Sequence, residues 1–152
     1  TLVITTCTNR KRKPVPDRLR VSALSQAPIA DVASDWVARL LAAAELLRRN
    51  IYGGRSFKEA LLAADLVDAR LLTVSAGLGL VWADTRVPPY ACTVLVGAPD
   101  SIASRVTVDY AVAGWWQALT GSSPFSQSLA GGVPRPKGSL HARDDWSGCI
   151  VN

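Results

Sequence analysis

Apolar residues along this chain change their spacing several times, and each change marks an element. Residues 1–6 are β-prone and apolar on both faces, which predicts a short strand covered on two sides. Residues 7–30, rich in Pro and Arg, read as loop. Over 31–49, Val32, Trp36, Leu40, Leu41, Ala44 and Leu47 recur three and four apart, predicting an amphipathic helix. Arg48 and Arg49 suit its negative end, and Asn50 closes it. Ser56-Phe57-Lys58-Glu59 has the form of a capping box and predicts a second helix over about 57–68. Residues 69–75, ARLLTVS, predict a second buried strand, and 92–96 a third, short one. The stretch between them, from Ala76 to Tyr90, is punctuated first by glycine and then by proline, and reads as connection. Residues 100–120 predict a long helix, with Asp100 near its start, Gly121 past its end and a stripe of Val108, Val112, Trp115 and Leu119. Residues 121–148 are rich in Ser, Gly and Pro and read as irregular; CIVN at 149–152 reads as a last strand.

Strand, helix, helix, strand, turn, strand, helix is the order of an α/β fold with a mostly parallel central sheet flanked by helices. A single domain over 1–120 is expected, followed by a tail over 121–152 that leads into a further region. In such sheets ligands sit beyond the carboxyl ends of the strands. The loops expected there are 7–16 and 76–90, and the 53–56 turn, which opens a helix, is expected to face the same crevice.

Composition narrows the function. The chain has 152 residues, 49% hydrophobic and 19% charged, enough for one core and too few charges for a disordered chain. Its net charge of +5 permits a nucleotide or nucleic-acid partner without requiring one. No apolar run reaches the roughly 18 residues of a membrane helix. The apolar start is too short, and its charges fall on the wrong side, for a secretion signal. Cys7, Cys92 and Cys149 are odd in number and widely spaced, which predicts neither a disulfide framework nor a zinc site, and so a cytoplasmic setting. His141 is the only histidine, which disfavours a Ser-His-Asp triad or a histidine metal site; no metal and no cofactor are expected. Methionine is absent, so the initiator is expected to be trimmed or to lie outside this stretch.

The chemistry-bearing stretches begin with Arg10 to Lys13, four cations directly after a strand and Cys7. A solvated loop and a phosphate-contacting loop are both consistent with that run. Gly53-Gly54-Arg55-Ser56 precedes a helix, where free amides, the dipole and a guanidinium would form an anion cradle; a plain connection between two helices explains the glycines equally well. Ser75-Ala76-Gly77-Leu78-Gly79 follows a strand but is neither GxGxxG nor a GxxxxGK[ST] phosphate loop. A tight turn explains its glycines equally well. Tyr90, after two prolines, is a candidate for stacking on a base or for a half-buried loop aromatic. Asp84 is the candidate carboxylate, though no spacing pairs it with another.

Three segments together carry a resemblance. CTNRK, IYGGRSFKEA and LLTVSAGLGLVWADTRVPPYACTV resemble the pattern of small YaaA-like domains, related to the uracil-DNA-glycosylase-like domain of archaeosine synthases. The resemblance covers about residues 2–95. It marks Cys7, Thr8 and Lys11; Tyr52, Gly54, Phe57 and Ala60; and Ser75, Ala76, Gly79, Leu80 and Tyr90. The chain departs from the pattern at Thr8, at Ile51, at Ala83-Asp84 and in its long Pro/Arg insertion. What the resemblance implies is an α/β domain of nucleobase or nucleic-acid metabolism, in a base-modification, stress or phage-defence setting.

The leading expectation is therefore a nucleotide- or nucleic-acid-acting domain, with base modification or N-glycosidic bond chemistry as its activity. Arg10 and Lys11 would hold phosphate, with Cys7 and Thr8 beside them. Gly54, Arg55 and Ser56 would supply the anion cradle beside Tyr52. Ser75, Gly77 and Gly79 would shape the base pocket, Tyr90 would stack and Asp84 would serve as the carboxylate. The alternative is a non-catalytic binding module of a larger assembly, using the basic loop for nucleic acid and the Trp115-Trp116 helix for a protein partner. A purely structural domain is the third reading.

Overall fold

The computed structural model describes residues 1–7, 13–47 and 51–128. Strand β1 (Leu2–Thr6) leads, after two single 3-10 turns, to α1 (Ile29–Leu41). Then come α2 (Arg55–Leu66), β2 (Arg70–Ser75), β3 (Gly79–Trp82) and α3 (Val112–Ser122). The three strands form one sheet in the order β1-β2-β3.

β1 and β2 run parallel, with Ile4 beside Leu72 and Thr6 beside Val74. β3 runs antiparallel to β2, with Ser75 beside Gly79 and Leu72 beside Trp82. The sheet is thus mixed, not mostly parallel. The reason is local: only Ala76, Gly77 and Leu78 separate β2 from β3, and a parallel neighbour needs a crossover of a dozen residues or more. Gly79 closes the hairpin at φ +87°, which β-branched or bulky residues avoid. Gly79–Trp82 is therefore strand, where connection was expected. Residues 92–96 supply only an isolated bridge, Thr93 to Ser101.

α1 buries Val32, Trp36 and Leu40 of the predicted stripe, together with Ala33 and Val37, whereas Leu41 and Ala44 are exposed. It starts behind Pro28, whose fixed φ suits a helix entrance. It stops earlier than predicted. The Ala42 amide still reaches Ala38, but the Ala43 amide turns to Leu40, and Ala44–Leu46 is a 3-10 turn. Residues 48–50, expected to close the helix, lie outside the described residues. α2 begins two residues before the prediction, with Gly54 at its N-cap. The capping box does not form: Ser56 is already helical, and the Glu59 carboxylate receives Arg55 Nε at 2.7 Å. Asp68, at φ 48°, ends the connection into β2.

The long helix expected over 100–120 is cut to α3. Asp100 (φ 58°) and Asp109 (φ 40°) are both left-handed and cannot continue a right-handed helix. The Asp100 carboxylate, expected near a helix start, instead joins Arg20 (3.1 Å) and the Ser22 hydroxyl (2.7 Å), tying the early loop to the late one. α3 runs past the expected boundary at 120, and the chain stays attached as far as Gln127, whose amide donates to Leu80 O at 2.6 Å. CIVN at 149–152 lies outside the described residues.

The sheet separates two apolar clusters. The larger joins Leu71 and Val81 to α1, to Phe57 of α2 and to Trp115 and Leu119 of α3. The smaller, on the other face, holds Leu72, Leu80 and Trp82 against Leu2, Val74 and Trp116. There the Arg70 guanidinium lies 3.4 Å over the Trp82 ring, a cation–π contact. Among the described residues no helix is long and apolar enough to cross a membrane.

Candidate functional site

The carboxyl ends of the parallel pair β1 and β2 are where chain segments converge. Cys7 extends the ladder past β1, its amide donating to Val74 O at 2.8 Å. Ser75 is the last residue of β2 and is fully buried. Its hydroxyl accepts from the amides of Gly77 and Leu78, both at 3.2 Å, which closes the hairpin as a serine turn. The same oxygen meets Tyr90 Oη at 2.5 Å, and Tyr90 Oη meets Tyr52 Oη at 3.0 Å.

Counting hydrogens orients this chain. A hydroxyl donates once and accepts twice. The two turn amides fill the acceptor sites of Ser75, so its own hydrogen goes to Tyr90. Tyr90 then passes its hydrogen to Tyr52. Burial is the largest influence on both phenols and pushes their pKa values well above the ordinary range, so both stay neutral donors at physiological pH. Cys7, one residue past the Thr6–Val74 pair, stands opposite Ser75 on the neighbouring strand and packs against the larger apolar cluster. Cys7 itself is half-buried, the most accessible member of the group.

The hairpin turn is fixed from three sides. Trp36 Nε1 donates to Gly77 O at 2.7 Å and Trp115 Nε1 to Ala76 O at 2.8 Å. The Tyr90 ring lies against Gly77: a Cβ there would fall 2.7 Å from Cε2 and 3.1 Å from Cys92 Cβ. Tyr90 also meets Trp36 edge to face, ring centroids 6.3 Å apart. Tyr52 leans on Phe57, the first buried residue of α2, at 5.3 Å. The first turn of α2 thus starts three residues after a tyrosine anchored in the network.

Of the residues singled out from the sequence, Cys7, Tyr52, Ser75, Gly77 and Tyr90 come together. Gly54, Arg55 and Ser56 lie close by along the chain. Arg55 is almost fully exposed and paired with Glu59, and Ser56 is exposed. Thr8, Arg10 and Lys11 lie outside the described residues. Gly79 is buried on the far side of the hairpin, where a Cβ would collide with Ser126 Oγ. Two roles need correction. Tyr90 has no exposed surface, so its ring is packing and not a platform for a base. Asp84 sits in the turn just beyond Trp82, at the opposite end of the strands from Cys7 and Ser75, and it is exposed.

Trp36 and Trp115 were legible only as helix-stripe residues. Their indoles do polar work that periodicity cannot report. A signal existed: a buried glycine turn needs donors for its carbonyls, and an indole on a core-facing stripe supplies one. Trp115, expected to face a protein partner, is committed to the turn; Trp116 lies across the other sheet face. No metal-binding group of His, Cys, Asp or Glu side chains occurs among the described residues.

Comparison of the chain with protein-family models, with curated proteins and with solved structures found no match.

Proposed function

We propose that this domain binds a nucleotide or a nucleic acid at the carboxyl ends of β1 and β2. One observation carries the reading: Cys7, Tyr52, Ser75 and Tyr90, from four separate segments, meet at the end of the sheet, and in sequence the basic run Arg10 to Lys13 follows Cys7 after two residues. The buried hydroxyls would form the floor, the α2 N-terminus would offer its amides to an anion, and the basic run would supply cations for phosphate. The activity that goes with this reading is base modification or N-glycosidic bond chemistry, in a stress or phage-defence setting.

A second reading, a non-catalytic binding module, gains from the position of Asp84. A glycosidase needs a carboxylate or a held water beside the sugar, and Asp84 lies at the wrong end of the strands.

The test is binding of labelled single-stranded DNA, duplex DNA and tRNA over a salt series, with and without the double reversal Arg10→Glu/Lys11→Glu. Binding should weaken steeply with salt, and the reversal should flatten the log–log slope by about two, one for each phosphate no longer neutralised. Unchanged binding in the variant would remove the basic run from the site. Base release from a bound oligonucleotide separates the enzyme from the module.

A further inference from the structure

The outer face of the sheet carries a groove of about 680 Å³ that the site above does not use. Ile4, Val74 and Leu80 form its floor, one residue from each strand, and Trp116 and Thr120 of α3 form a wall. Ser126 to Ser128 line its remaining side. Ile4 is 51% exposed in the middle of a strand whose sequence reads as covered on both faces. β1 is also a sheet edge, with no strand beyond it among the described residues. The parallel register turns the backbone groups of Thr1, Val3, Thr5 and Cys7 toward β2, so those of Leu2, Ile4 and Thr6 face the open edge. An apolar face beside an unpaired edge is a surface that proteins ordinarily cover.

We propose that the groove is filled by this chain's own residues 129–152. The chain itself points to this occupant. It is held against β3 by the Gln127 amide and by Ser126 Oγ, which accepts from the Leu80 amide at 3.2 Å. Ser128 is then left lining the groove, with residues 129–152 still to come. From β3 to β1 is roughly 10 Å, a span that about three or four extended residues cover. The segment brings Leu140, Trp146, Ile150 and Val151, apolar side chains suited to an apolar floor. Trp146, Ile150 and Val151 are its anchor. An intramolecular occupant also has a kinetic advantage, because a short tether gives an effective concentration in the millimolar range.

The test uses the full chain with Ile4 replaced by a photo-reactive benzophenone amino acid, and separately with Gln117, an exposed groove residue, replaced in the same way. Irradiation in dilute solution should give intramolecular adducts that map to 129–152. The triple change Trp146→Ser/Ile150→Ser/Val151→Ser should abolish them. Adducts joining two chains and growing with protein concentration would identify a second copy as the occupant and overturn the proposal. So would the absence of any adduct to 129–152 from both positions, or adducts unchanged in the triple variant.

Discussion

The two faces of the three-stranded sheet are built to different standards. On the inner face, at the strand ends, the Ala76 and Gly77 carbonyls each have an indole and the Leu78 carbonyl the Ser123 hydroxyl, the serine accepts twice and donates once, and two phenols complete the chain. On the outer face Ile4 is half exposed and an open groove crosses all three strands. One sheet thus carries a closed, hydrogen-bonded floor and an unfinished apolar surface. Substitutions on the inner face should be costly and specific, and those on the outer face cheap.

The largest effect is expected at Gly77. A methyl there meets the Tyr90 ring at 2.7 and 2.8 Å, distances real Cβ atoms essentially never show, and crowds Cys92 Cβ at 3.1 Å; the Tyr90 ring, fully buried, has no space to retreat. Gly77→Ala should destabilise by about 3 kcal/mol, the upper range for overpacking. Urea denaturation of the variant should show a lowered midpoint at unchanged slope. A midpoint equal to that of the parent chain would mean that the inner face is looser than its contacts indicate.

Tyr90→Phe comes next. It keeps the ring contact with Trp36 and Gly77 but leaves the Ser75 hydrogen and the Tyr52 oxygen without the partner between them. The cost should be about 2 kcal/mol. The same residues give a pH signature. In the unfolded chain both phenols ionise near their usual pKa of about 10, whereas burial raises the folded values. The folded protein then holds more protons than the unfolded chain above that pH, so stability falls as pH rises. The contribution is complete below about pH 10 and is lost progressively above it. Tyr90→Phe should flatten this alkaline loss, measured as denaturation midpoints from neutral to alkaline pH. An equally steep loss in the variant would place the responsible groups elsewhere.

How much of this was legible in the sequence depends on which interactions set each element. α1 was readable because its stripe is apolar and its spacing helical. β2 was readable because an apolar run ends in a glycine turn. The convergence of Cys7, Tyr52, Ser75 and Tyr90 was readable in part, because the carboxyl ends of parallel strands gather loops. Three things were hidden. The Ser56–Glu59 motif looks like a cap, but Arg55 competes for the same carboxylate one turn earlier. The 100–111 stretch has helical spacing, but Asp100 is held at positive φ, bonded to Arg20 and Ser22 some eighty residues away, which no local pattern reports. Asp84 looked near the glycine turn in sequence, but antiparallel pairing carries it to the far end of the sheet.

The smallest effect sharpens the comparison most, because it concerns two hydroxyls on one strand. Thr73 and Ser75 are both fully buried and point to the same face of β2. Ser75 is saturated, whereas Thr73 Oγ1 has no hydrogen-bond partner among the described residues. A buried hydroxyl that gave up its water without gaining a partner is a cost to the fold. Thr73→Val removes that cost at nearly the same volume and should be neutral or stabilising by up to about 1 kcal/mol. Ser75→Ala should destabilise instead, because it strands two amides and a phenol. The two midpoints measured side by side decide the matter. A clear loss in Thr73→Val would show that this hydroxyl has a partner in solution, and would extend the polar network of the strand ends one step further down β2.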